Sequence, residues 1–219
     1  MTTTIDRDQG LIHVNAAGVT LEGNLIIPDG ATGVVLFAHG SGSSRFSSRN
    51  RYVAEVLRKQ GNLATLLIDL LTAEEELVDT RTAHLRFDIE LLADRLVGTS
   101  EWLVREHPNL KIGLFGASTG GGAALVAAAR VPDRIKAVIS RGGRPDLAGA
   151  ALPHVKAPTL LIVGGDDTPV IQMNQEAYDR MTTLRKMIII PGASHLFEER
   201  GTLEEVARLA TEWFKKYLR

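Results

Sequence analysis

A serine set among glycines, a histidine and a pair of aspartates lie in different loops of this 219-residue chain, in the order Ser, Asp, His. Together these residue types could do acyl chemistry. The serine belongs to Gly116-Ala117-Ser118-Thr119-Gly120, a G-x-S-x-G pattern between a strand-like run (Ile112, Leu114, Phe115) and an alanine-rich stretch suited to a helix. The pattern needs small residues two before and two after the serine, because strand and helix approach closely at such a turn. The turn would lift the Ser118 hydroxyl above the sheet edge as a nucleophile and aim helix N–H groups at an oxyanion. His195, in "PGASHLFEE", sits where a general base could reach Ser118 without disturbing the core. "GGDDTPV" offers two acids, Asp166 and Asp167, at the end of one strand. The loop "HGSGSSR" (residues 39–45) supplies a second oxyanion donor, the backbone N–H of Ser41 beside that of Thr119, with Gly42 as the alternative.

The same glycine-rich turn could instead cradle a phosphate, since Gly116, Gly120 and Gly122 fit a dinucleotide-binding spacing. That fingerprint belongs to the first strand–helix turn, whereas several elements come before this one. The next strand ends in Ser140-Arg141 rather than an acid, Tyr-x-x-x-Lys does not occur, and no Gly-Lys dipeptide is available for a Walker loop. Of the other histidines, His13, His84 and His107 read as solvated or helix-end residues. His154 is harder to assign, and His39 reads as a side chain that pins the glycine loop.

These residues need a sheet to position them. "LIHVNAAGVTLEGNLIIP" predicts two short antiparallel strands joined around Ala17 and Gly18. Apolar runs at 33–39, 63–69, 111–116, 135–140, 159–164 and 186–190 then alternate with helical patterns near 48–60, 85–106, 119–130, 171–183 and 202–217. The expected fold class is α/β, a mostly parallel twisted sheet with helices on both faces and an N-terminal antiparallel pair. In such sheets ligands lie at the carboxyl ends of the strands, where all the candidate loops fall. With no internal repeat or linker, residues 1–219 read as one domain, able to bury roughly 70 percent of its unfolded surface. The stretch between Ser140 and Pro158 leaves no room for a cap domain, though it could carry a short helix, so the site is expected to be open.

A formal net charge of −1 without a Lys/Arg block argues against nucleic acid and membrane as partners. The absence of cysteine removes disulfides, thiolate metal sites and a cysteine nucleophile. The opening "MTTTIDRDQG" has neither a basic nor an apolar leader region, and a cytoplasmic location is expected. Arg45, Arg141 and Arg144 could meet an anionic group on a substrate, or pin loops through salt bridges. The acidic run Glu74 to Glu76 reads as a solvated face.

Taken in order, "HGSGSSR", "GASTGGG", "VGGDDTPV" and "PGASHLFEE" resemble the α/β-hydrolase superfamily, and within it the small dienelactone-hydrolase-like branch, over essentially the whole chain. The resemblance implies Ser118 as nucleophile, Asp167 as triad acid and His195 as base, with no metal or organic cofactor. It implies a small-molecule ester as the partner. Dienelactone hydrolases proper use cysteine, so the serine here points to a carboxylesterase, a thioesterase or another acyl hydrolase. A non-catalytic binding protein on the same fold is the remaining alternative.

Overall fold

The computed structural model describes residues 10–219. Most of the opening segment on which the leader reading rested, residues 1–9, lies outside the described residues. Among the described residues, eight strands form one sheet in the order β1-β2-β4-β3-β5-β6-β7-β8. The entry hairpin, β1 (Leu11–Ala16) and β2 (Val19–Ile26), is antiparallel, and β2 also runs antiparallel to β4 (Ala64–Ile68). From β4 outward the pairing is parallel through β3 (Gly33–Ala38), β5 (Lys111–Ala117), β6 (Ile135–Arg141), β7 (Thr159–Gly164) and β8 (Arg185–Ile190). β3, β4 and β7 are buried along their whole length, which is why they read as unbroken apolar runs rather than as alternating ones.

The sheet divides the core in two. Val34, Leu36 and Leu114 face α3 (Ile89–Glu106) and α4 (Thr119–Arg130), and pack with Leu92, Leu96, Ala123 and Ala127. Val35, Phe37 and Phe115 face α1 (Ser48–Gly61) and α6 (Thr202–Tyr217), and pack with Val53, Leu57, Ala210 and Phe214. The period-two alternation of the strands sends successive residues to opposite layers, and the helical spacing on each helix supplies the matching stripe.

Three elements differ from the sequence reading. Glu74 and Glu76 are exposed, as the solvated-face reading expects, but the segment after β4 forms a helix, α2 (Ala73–Thr82), that the sequence reading did not place. Its start is a capping box: the Thr72 hydroxyl accepts from the Glu75 N–H, and the Glu75 carboxylate accepts from the Thr72 N–H. Glu75 also pairs with the buried guanidinium of Arg95 at 2.6 Å. The long helix expected from 85 begins at Ile89, because the Asp88 side chain caps it by accepting from the Leu91 N–H, and residues 85–87 form a separate 3₁₀ turn. Finally, α5 (Thr168–Arg180) starts and ends three residues earlier than expected, with Pro169 in its first turn, where a missing N–H costs nothing. The connection after β6 carries 3₁₀ turns over Pro145–His154 and no cap domain.

Candidate active site

Ser118 stands between the end of β5 and the first residue of α4, with φ 50 and ψ −123. That is a strained conformation for a residue bearing a Cβ. The turn is held by its backbone: Ser118 N–H donates to Arg141 O at 3.4 Å, while Ser118 O accepts from Gly121 N–H at 2.9 Å and Arg144 N–H at 3.0 Å. The flanking glycines answer sterics. A Cβ on Gly116 would lie 2.4 Å from Gly120 O, and one on Gly120 would lie 2.3 Å from Ala38 O. Both distances are far inside contact, so strand, turn and helix reach this spacing only without side chains.

His195 follows β8, and its Nδ1 lies 2.6 Å from Asp167 Oδ2. The short distance fits a charge-assisted bond in which Nδ1–H donates to the carboxylate, leaving Nε2 as the free base. Asp166, its neighbour, is exposed, and its N–H is tied to Ala193 O at 3.0 Å. The histidine loop comes down on the turn after β6. The position a Cβ would take on Gly142 is 3.0 Å from His195 O and 3.8 Å from His195 Cε1. Because Gly142 follows the carbonyl that holds Ser118 N–H, His195 and Ser118 both border the segment Arg141-Gly142.

Ser41 and Gly42 lie in the loop after β3, which packs on the serine: a Cβ on Gly40 would sit 3.0 Å from Ser118 Cβ. Gly42 has φ 67 and closes a turn in which Ser43 N–H donates to Gly40 O. The loop is pinned by His39. Leu70 N–H donates to His39 Nε2 at 3.1 Å, so Nδ1 carries the proton and donates to Gly40 O at 3.0 Å. Burial pushes the imidazole below the ordinary histidine range, against the opposing pull of the Gly40 carbonyl and the carboxylates of Asp69 and Glu76.

This gives a pH prediction. His39 is neutral in the fold, whereas the unfolded chain takes up a proton below pH about 6.5. Its contribution to stability is therefore present above that pH and is lost as pH falls toward the lowered folded value. Denaturant unfolding between pH 5 and 8 should show this slope, and His39→Gln should flatten it.

The structure occupies all three candidate arginines with the protein's own groups. Arg45 donates its backbone N–H to Asp69 at 2.6 Å, and its guanidinium pairs with Asp69 and, at 2.6 Å, with Glu22. This is the loop-pinning alternative rather than a free anion binder. Arg141 is 5% exposed, its guanidinium directed at Asn50 and the Phe197 ring. Arg144 is paired in two places with Asp146. Beside the loop lies an open cavity of about 640 Å³, lined by His39, Ser43, Arg45, Asp69, Leu71 and Glu76, among others. The wall from α2 escaped the sequence reading, although Thr72-x-x-Glu75 was its signal. Among the described residues no group of three or more His, Asp or Glu side chains could hold a metal ion, and no helix is long and apolar enough to cross a membrane.

A mostly parallel eight-stranded sheet with candidate residues on the loops after β3, β5, β7 and β8 defines an α/β-hydrolase. The chain belongs to the PET hydrolase-like family, described as PETase, whose model matches residues 32–219. The solved structure of dienelactone hydrolase from Anabaena variabilis ATCC 29413 is 66% identical, with a TM-score of 0.93, covering 95% of this chain and 97% of that one. Est1E from Butyrivibrio proteoclasticus shares the fold at 17% identity, with a TM-score of 0.77 over 95% of this chain and 98% of its own. A curated Mycobacterium tuberculosis protein named "Putative phosphoribosyl transferase" is 54% identical over 209 residues, which is 94% of this chain but 46% of that protein. The chain thus spans about half the length of the curated relatives it matches.

Proposed function

We propose that the protein is a serine hydrolase that cleaves carboxylic esters, small acyl esters or lactones, through an acyl-enzyme on Ser118. The observation that carries this reading is the 2.6 Å contact of Asp167 with His195 Nδ1, on a histidine loop seated beside the strained serine turn. His195 Nε2 takes the Ser118 proton as Oγ attacks the ester carbonyl, and Asp167 stabilises the resulting imidazolium. The carbonyl oxygen, now negative, is met by the N–H groups of Thr119 and Ser41. Among the described residues neither donates to a protein acceptor. Collapse of the tetrahedral adduct expels the alcohol, which takes the proton from His195. Water, activated by the same imidazole, then releases the acid and restores Ser118. The family description and the dienelactone hydrolase relative support ester or lactone cleavage as the reaction class.

The name given to the Mycobacterium tuberculosis relatives concerns chains of which this one spans 46%.

The test is a panel of activated esters of graded acyl length, with matched thioesters. Turnover of short esters at higher kcat/KM than the thioesters is expected. The reverse order would make the protein a thioesterase, and no turnover of either would make it a binding protein on a hydrolase fold.

A further inference from the structure

Among the described residues, Arg141 is a buried cation without an anion. Its guanidinium has one hydrogen bond, from Nη2 to Asn50 Oδ1 at 3.2 Å, its Nε has no partner, and among the described residues it pairs with no carboxylate. Burial, with the charge of Arg49 added, pushes it down to about 10. A fold that needed only volume there would do as well with an aliphatic side chain, since a buried charge loses more hydration than one neutral hydrogen bond returns. What distinguishes the position is what it joins. Asn50 lies in the first turn of α1, directly after the loop that offers the Ser41 N–H. Phe197, whose ring centroid is 5.6 Å from the guanidinium carbon, lies two residues after His195 and holds φ 57, strained for a residue with a Cβ. The carbonyl of Arg141 accepts the Ser118 N–H, and the next residue, Gly142, abuts His195. A second link runs in parallel on the surface, where Arg49 pairs with Glu198 of the histidine loop at 3.1 Å.

We infer that Arg141 is a positioning residue, a buried clamp that ties the histidine loop to the start of α1 and thereby sets His195 and the oxyanion loop against Ser118. This rests on the proposed serine-hydrolase reading. The clamp acts through other residues and touches no substrate. Its planar fork can donate to Asn50 while lying near the Phe197 ring, a pair of contacts that a neutral side chain of similar size cannot make together.

The test is Arg141→Met, which keeps the volume and removes the charge and the donor. The expected result is an unchanged or raised melting temperature with kcat for an activated ester lowered between about 10- and 100-fold at nearly constant KM, as small misplacements of catalytic groups do. A readout independent of turnover is the low-field proton resonance of His195 Nδ1–H in the free protein, which should broaden in the variant. Asn50→Ala should reproduce the loss of kcat, and the double variant should lose no more than the worse single, because both remove one contact. A variant that melts well below the wild type and loses activity in step with stability would make Arg141 an ordinary core residue and overturn the inference. So would an unchanged resonance together with undiminished kcat. Failure of the hydrolase reading is separable, because it would show in the wild type as absent turnover whatever the variants do.

Discussion

Ser118→Ala is expected to lower kcat for an activated ester by about 10⁶, the scale on which removal of a triad serine acts. The fold should survive the change. The bonds that hold the turn are made by the backbone of residue 118, to Arg141, Gly121 and Arg144, and an alanine makes the same ones. The strain at φ 50 is also common to both residues, since each carries a Cβ. Circular dichroism and melting should therefore match the wild type while turnover disappears. Near-normal hydrolysis by a well-folded variant would move the nucleophile to another serine, with Ser41 and Ser43 in the neighbouring loop as the next candidates.

Asp167→Asn is expected to lower kcat by about 10⁴, whereas Asp166→Asn costs less than about tenfold. The two carboxylates are adjacent in sequence and share almost nothing in structure. Asp167 is 13% exposed in its side chain and takes the histidine Nδ1, whereas Asp166 is exposed and anchored through its N–H to Ala193 O. An amide at 167 can present an N–H to the imidazole, which would select the tautomer with the proton on Nε2 and block base catalysis. The reverse ranking, measured with the same ester, would move the triad acid to Asp166. Large losses in both variants with lowered melting would mean that the loop itself had collapsed.

The residues with one dominant physical demand were legible in the sequence. Glycines at 116 and 120, beside a buried strand and a helix-forming stretch, announced a close-packed turn, and the structure places backbone where their side chains would be. Strands buried on both faces read as apolar runs, and a parallel sheet puts the loops after β5, β7 and β8, which carry Ser118, Asp167 and His195, at one edge. The helix α2 was obscured because only Asp79 of its ten residues is buried, so it carries no apolar stripe and depends on a cap and ion pairs. The occupations of Arg45 and Arg141 were hidden for a different reason. An arginine in a loop has the same local signature whether it faces solvent, a carboxylate on another strand such as Glu22 and Asp69, or an amide 91 residues away such as Asn50. Only the tertiary path decides between these.

The most direct test of the central claim is to treat the protein with a fluorophosphonate, which reacts with an activated serine and ignores a spectator, and to map the adduct by peptide mass spectrometry. One adduct per chain is predicted, on the peptide containing Ser118, and prior heat denaturation or Asp167→Asn should suppress it. An adduct on another serine, or an unmodified chain under conditions that label a known serine esterase completely, would contradict the account.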